Sequence, residues 1–423
     1  MSNYTRYCVF VKRKAQNIVI IFCALKIRLF PKCNNTLFFR LKVPQLPRCI
    51  KEMFEFTYRI CYNLKSNSLH NSRVFSLKNE RSFHMKETFG ILPTGEQASL
   101  YTISCGGLTA AVTDYGATLV RLMVPDAAGN MGDVVLGYDD CNGYRTANGA
   151  FLGTTVGRNA NRLKNSSFEI DGKVYQMQPN EGKNNLHSGP DCFYLRMWKT
   201  IAAEEDSVTF ELQSPHGDQG FPGNATIHVT YKLDAEGGLH IIYDAVCDRD
   251  TVFNMTNHSY FNLAGHENTD TAMQQLLTIP GRFFNPDDAE NIPTGELRKV
   301  DGTPMDFRTP KAIGRDIEMD YEPLKLQGGY DHNWEVFCNP CATLSDPVSG
   351  RSMAVYTDCP GIQFYAGNFL NENGKNGIYY GKRTGVALET QYYPDALHHP
   401  EWPQPITRAG EKYHSETVYR FAK

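Results

Sequence analysis

From about residue 95 the chain alternates apolar and polar positions in twos. In Thr226–Leu233, residues Ile227, Val229, Tyr231 and Leu233 fall on one face, and Thr226, His228, Thr230 and Lys232 on the other. That is the period-2 signature of a half-buried strand. Asp234–Gly238 reads as a turn, and Leu239, Ile241, Tyr243 and Ala245 then resume the alternation. The two runs predict a hairpin. Val208, Phe210 and Leu212 repeat the pattern upstream. Phe168–Tyr175 predicts a second hairpin, because Asp171-Gly172 can supply the positive φ angles of a tight turn. Helical periodicity is hard to find, and prolines and glycines punctuate the chain, as in Pro293-Thr-Gly295 and Asp346-Pro347. Many short strands with frequent turns predict an all-β fold, a large antiparallel β-sandwich. No break in composition divides residues 85–423, which read as one domain.

Composition changes that picture mainly at the N-terminus. The 423 residues have a formal net charge of -3. Residues 1–84 carry 16 Lys and Arg against 3 Asp and Glu, a net +13; the remainder carries 27 against 43, a net −16. Asymmetry of this size marks two segments with different histories. Asp and Gly are absent from the first 84 residues. The apolar run Asn17–Leu25 follows Lys12-Arg13-Lys14, in the manner of a signal-peptide n-region and h-region. It is far shorter than the ~18 residues that span a bilayer, and no small-x-small cleavage site follows. A leader, a poorly ordered or irregular extension, and an upstream start with the functional chain beginning at Met85 all fit. The last is preferred, since β patterning begins just after Met85. The acidic remainder lacks the clustered Lys and Arg that nucleic-acid binding requires. No nucleic-acid or membrane partner is expected.

Of the 12 cysteines, five lie in the basic segment and seven after it. Cys338-Asn-Pro-Cys341 is a lone CxxC without a second pair at zinc-site spacing, so free thiols are expected.

Five segments concentrate hydrogen-bonding side chains among glycines, asparagines and aromatics: Gly157–Arg162, Asn185–Gly189, Thr256–Gly265, Gly328–Asn333 and Leu388–Asp395. Gly361–Tyr365 is a weaker sixth. Together they hold histidines, carboxylates, amides, an arginine and many rings. Such a set suits a neutral polyhydroxylated ligand: amides and carboxylates bond to hydroxyls, and rings cover the apolar face of a sugar.

These segments, GRNANR, LHSG, NHSYFNLAG, GGYDHN, GIQFY and ALETQYYPDA, resemble in order those of the aldose 1-epimerase (galactose mutarotase) family. The resemblance implies a large antiparallel β-sandwich and the interconversion of α and β anomers of free aldohexoses such as galactose and glucose. It implies His258 as catalytic acid, Glu389 as catalytic base and His187 as a second active-site histidine. It implies Asn161, Arg162, Asp331 and Gln363 as residues that bind sugar hydroxyls. One departure is Ser188, which stands where the family usually has glycine. The chemistry suits these residue types. Ring opening removes a proton from the C1 hydroxyl and delivers one to the ring oxygen, so one base and one acid are sufficient. No cofactor and no metal are expected. The expected partner is a small aldose, the expected state a monomer or homodimer, and the expected location the cytoplasm.

Other residues carry plainer readings. His332 reads as a turn residue beside Asp331, His228 and His240 as solvent-facing strand residues, and His398-His399 as an incidental loop pair. Arg158 reads as structural. A metal site from His258, His266 and His332 has no ligand spacing behind it. Asn257-His-Ser259 is formally an N-glycosylation acceptor. The alternative functions are a hexose-6-phosphate 1-epimerase, which would need additional basic residues for the phosphate, and a sugar-binding module without catalysis, which would need the acid or base to be lost.

Overall fold

The computed structural model describes residues 86–147 and 149–422. Before them it describes the backbone of five strands: Thr5–Lys14, Asn17–Lys26, Leu29–Phe30, Thr36–Phe39 and Tyr58–Cys61. The chain divides into two compact units, Met1–Glu80 and Arg81–Lys423. In the first, the apolar run Asn17–Leu25 lies in a strand paired antiparallel with Thr5–Lys14. The expected start at Met85 falls outside the described residues.

The second unit is built on three antiparallel sheets. The largest has nine strands and contains the hairpin read from the sequence: Ala225–Leu233 pairs with Gly238–Cys247, with Val229 opposite Tyr243 and Tyr231 opposite Ile241. The odd-numbered positions of the first strand are buried and the even-numbered ones partly exposed, as the alternation predicts. The Phe168–Tyr175 hairpin is also present, with Asp171 and Gly172 at φ 48° and 82°.

A six-stranded sheet runs in the order Tyr260–Phe261, Val386–Gln391, Gly361–Tyr365, Asp331–Glu335, Phe283–Phe284, Arg298–Lys299. A five-stranded sheet contains Gln97–Cys105, Leu108–Thr113 and Thr118–Pro125. One apolar core joins all three: Val112 and Leu119 from the five-stranded sheet, Val229 and Tyr243 from the nine-stranded, and Trp334, Phe364 and Leu388 from the six-stranded. Sheet faces with alternate apolar positions must bury them against one another, and layering sheets satisfies this. Only two short α-helices occur among the described residues, Cys141–Thr146 and Glu322–Gln327. No described helix is long and apolar enough to cross a membrane.

The Val386–Gln391 strand departs from simple alternation, because all six of its residues are buried. Val386 and Leu388 enter the main core. Glu389 lies on the opposite face, so that face is covered too. This strand is where the site is built.

Buried charges tie the sheets to their loops. Arg158 is fully buried and donates to the carbonyls of Ser214, Pro222 and Gly223 at 2.8, 2.9 and 3.0 Å. Its partners are structural, as expected. Lys375 Nζ donates to Val120 O at 2.9 Å, Val135 O at 2.7 Å and Asp133 Oδ2 at 2.6 Å. Removing one member of a buried ion pair leaves the other charge without compensation, at about 3–5 kcal/mol. Lys375→Met should therefore lower the unfolding free energy by about 3–5 kcal/mol in urea titration. Adding Asp133→Leu should recover part of the loss; an unchanged urea midpoint in the single variant would contradict the assignment.

Candidate active site

Strand pairing sets the first half of the site. Glu389 lies directly opposite Gln363, and Gln363 opposite Asn333, across three neighbouring strands. Residues in one such row share a face. Asp331 shares it too, two positions before Asn333. Gln363 Nε2 donates to Asp331 Oδ1 at 2.7 Å. The intervening His332 is a buried strand residue, not a turn residue. Its ring packs edge-on against Phe284 and Trp334, on the other side of the sheet.

Loops supply the other half. His258 lies between the short strands Thr256–Asn257 and Tyr260–Phe261. Its N–H donates to Thr154 O at 2.9 Å, and its carbonyl accepts from Gly153 N at 2.9 Å. His187 and Asn161 are laced together. His187 N donates to Asn161 O at 3.0 Å, and Asn161 N donates to His187 Nδ1 at 3.1 Å. Both residues have positive φ, 50° and 60°, and Ser188 follows at 71°. The Ser188 hydroxyl accepts from Asn159 N at 2.8 Å and donates to Asn159 O at 2.9 Å. The serine at this position thus fastens the two loops to each other. Arg162 forms a bidentate pair with Glu181, Nε to Oε2 at 2.6 Å and a terminal nitrogen to Oε1 at 2.9 Å.

These parts converge on a cavity of about 250 Å³. Asn161, Arg162, His187, His258, Asp331 and Glu389 line it, and Gln363 is buried behind Asp331. All seven residues singled out from the sequence therefore meet at one place. His258 Nε2 lies 3.6 Å from Glu389 Oε1, and the two side chains are 6% and 3% exposed. The His187 and His258 rings are 5.5 Å apart, edge to face.

Sequence reading missed several lining residues. Tyr260 and Tyr365 sit inside the quoted motifs, but their rings could not be assigned to the cavity without the sheet register. Glu181 lies in a turn and Phe151 in a loop beside Gly149 and Ala150, with no pattern to announce them. Asp395 fixes the Arg162 loop: its N–H donates to Arg162 O at 3.0 Å, and its Oδ1 accepts from Lys164 N at 2.9 Å. His398, read as incidental, holds Asp395 Oδ1 at 2.6 Å. Asn257 is buried, its amide donating to Gly153 O and Tyr231 OH, so the folded chain presents no glycan acceptor there.

Burial governs the electrostatics. It pushes His258 down to about 4. It pushes Glu389 well above the usual carboxylate range; Asp331 adds to that rise and Arg162 opposes it. Both shifts favour the uncharged form, so the resting pair holds a single proton. Burial, followed by His258 and Arg162, holds His187 well below the usual imidazole range. Burial also raises Asp331, against Arg162 and Gln363.

By distance, His187, His258 and Glu389 could each offer a ligand atom within 4.8 Å of the others. The trio weighed from sequence differs: His266 instead bonds Tyr380 at 2.8 Å. The Asn161 N–H occupies His187 Nδ1, which places the proton of the neutral ring on Nε2. His187 therefore presents a donor to the cavity, and the set suits hydrogen bonding rather than metal ligation. The seven free cysteines of the described residues, Cys338 and Cys341 among them, form no disulfide.

The profile of the aldose 1-epimerase family matches residues 99–420. The chain belongs to the aldose 1-epimerase family. It is 38% identical to the galactose mutarotase of Bos taurus over 347 residues, covering 80% of this chain and 98% of the relative. It is 36% identical to the aldose 1-epimerase of Escherichia coli K12 over 346 residues, covering 80% and 99%. Among solved structures, the aldose epimerase homologue of C. elegans superposes with a TM-score of 0.72 at 33% identity, covering 77% of this chain and 99% of that one. The all-β sandwich expected from strand patterning is thus also the fold of the chain's relatives.

The locked tautomer yields a direct check. In 15N–1H spectra His187 should remain neutral, with its proton on Nε2, from alkaline pH to well below 6.5. A proton on Nδ1, or a titration near 6.5, would contradict it.

Proposed function

We propose that this chain is an aldose 1-epimerase that interconverts the α and β anomers of free aldohexoses, with galactose and glucose as representative substrates. The observation that carries the reading is the buried His258–Glu389 pair at 3.6 Å, inside a cavity lined by sugar-type donors and acceptors.

In this reading the reaction begins from the protonation state with imidazolium at His258 and carboxylate at Glu389. Glu389 takes the proton of the C1 hydroxyl. His258 gives its proton to the ring oxygen, and the C1–O5 bond breaks. The products are the open-chain aldehyde, neutral His258 and protonated Glu389. Rotation about C1–C2 presents the other carbonyl face. His258 then takes the C5 hydroxyl proton as that oxygen attacks C1, and Glu389 returns a proton to the C1 oxygen. No atom or electron is gained or lost.

Burial makes both groups more reactive in these roles. An imidazolium pushed toward 4 is a stronger acid, and a carboxylate pushed upward is a stronger base. The ion-pair state is correspondingly sparse, and the neutral state that burial favours is the one present with the open chain. His187 contributes its Nε2–H as a fixed donor to the ring oxygen. Asn161, Arg162 and Asp331 hold the remaining hydroxyls, and Gln363 orients Asp331 from behind.

The charge of the cavity favours a neutral sugar. Among the described residues Arg162 is the one Lys or Arg lining it, and Glu181 already engages that guanidinium on two atoms. Asp331, Glu372 and Glu389 line the same space. A hexose 6-phosphate would meet carboxylates with no free cation among the described residues, so the epimerase of phosphorylated hexoses is the weaker reading. Both members of the acid/base pair are present, which disfavours a silent binding module.

Polarimetry on freshly dissolved α-D-galactose and α-D-glucose tests the proposal. His258→Asn and Glu389→Gln should each slow the enzyme-dependent rotation change by roughly 10²–10⁴-fold with unchanged circular dichroism. Near-normal rates in either variant would sink the assigned roles, and a faster reaction on glucose 6-phosphate than on glucose would sink the substrate class. The pH dependence has a definite sign. Adding a second proton to the pair removes the base, so kcat/KM should fall as pH drops toward about 4. An acid limb near 6.5 would contradict a desolvated His258.

A further inference from the structure

We propose that Phe151 is a positioning residue of the acid/base pair, a wedge that fixes the His258 ring against His187 and keeps water from it. The inference rests on the proposed role of His258 and adds a residue that no sequence motif indicated.

Phe151 lines the cavity and has φ 54°. A bulky side chain in the left-handed region is a genuine outlier, and such strain persists only where its surroundings hold it. The surroundings here are specific. The Phe151 ring stacks on His258 at 5.6 Å between centroids and 27° between planes. It meets His187 edge-on at 4.8 Å and Tyr194 edge-on at 5.2 Å. One ring therefore touches both histidines of the site.

The turn that carries the ring also grips His258. Phe151 O accepts from Thr154 N at 3.1 Å, closing the turn. Gly153 then donates to His258 O and Thr154 O accepts from His258 N, both at 2.9 Å. Behind the turn, a Cβ on Gly153 would lie 2.0 Å from Leu119 O. The five-stranded sheet thus presses against the back of the turn, and the turn cannot retreat from His258. The wedge and the backbone clamp belong to one rigid unit.

Other groups also face His258. Glu389 lies 3.6 Å from Nε2. His187 lies 5.5 Å away by ring centroid and Tyr260 5.0 Å. Arg162 acts on His187 from beyond it, and Asp331 acts on Glu389. Neutral His187 and Tyr260 are polar and can keep water as a neighbour. The Phe151 face cannot. Truncating it should open the His258 ring to solvent and restore an ordinary imidazole titration, while Glu389 and the sugar-binding residues stay in place.

The test uses Phe151→Ala and Phe151→Gly in the full chain. Glycine tolerates the positive φ, so the second variant keeps the turn if alanine does not. In both, 15N NMR should show the His258 titration rising from about 4 toward 6.5. The kcat for galactose should fall on the order of 10²-fold, as for a displaced catalytic group, with KM changed less than about threefold. A His258 titration still at about 4, or a kcat within about twofold of the parent, would overturn the proposal. The NMR arm reads the wedge even in a chain that turns over no sugar. Its failure is therefore distinct from a failure of the epimerase reading, which polarimetry of the parent chain decides.

Discussion

The organisation of this protein depends on holding an imidazole and a carboxyl 3.6 Å apart with almost no access to water. Burial opposes charge on either group. A pair left in that position by packing settles with both groups uncharged. Everything around the pair serves to keep it dry, in register and facing a space of sugar size. The Val386–Gln391 strand shows the constraint in its burial pattern. It is covered on both faces, with Val386 and Leu388 in the apolar core and Glu389 in the cavity.

Two kinds of element meet that constraint. The six-stranded sheet supplies rigid placement, since strand register puts Glu389, Gln363 and Asn333 side by side. The loops supply His258, His187 and Asn161, a two-residue strand supplies Arg162, and loops alone would be mobile. They are therefore cross-fastened. One backbone bond and one bond from Asn161 N to the His187 ring join those two residues, the Ser188 hydroxyl bridges to Asn159, and Asp395 holds the Arg162 segment. Arg158 and Lys375, both buried, satisfy loop and strand carbonyls further out. Positive φ angles at Phe151, Asn161, His187 and Ser188 place backbone strain at the cavity wall, where strain is commonly tied to function.

The polar inventory of the cavity defines what it can recognise. The guanidinium of Arg162 is matched by Glu181, Asp331 accepts from Gln363, and Glu372 accepts from Tyr138. His187 is locked as a donor through its own Nδ1 contact. Such a set discriminates by hydrogen-bond geometry rather than by ligand charge, which suits a ring of hydroxyls.

The sequence by itself determined the class of fold and named seven residues that the structure gathers at or beside one cavity. Alternation such as Ile227-Val229-Tyr231-Leu233 is dictated by the two-residue period of a strand, and it survives in the structure because the same period separates core from solvent. The motif residues His258, Glu389, His187, Asn161, Arg162, Asp331 and Gln363 were legible because their types suit sugar chemistry and their segments resemble a known family. Only the tertiary structure decided what state those residues are in. Desolvation, the His187 tautomer and the neutralisation of Arg162 depend on neighbours 19 to more than 130 positions away. Local spacing carries no record of them. The same holds for His332, which looked like a turn residue beside Asp331 but lies in a strand whose alternate faces send one to the core and the other to the cavity. Phe151 was invisible for a related reason: its importance lies in a backbone conformation that phenylalanine does not advertise and that packing alone enforces.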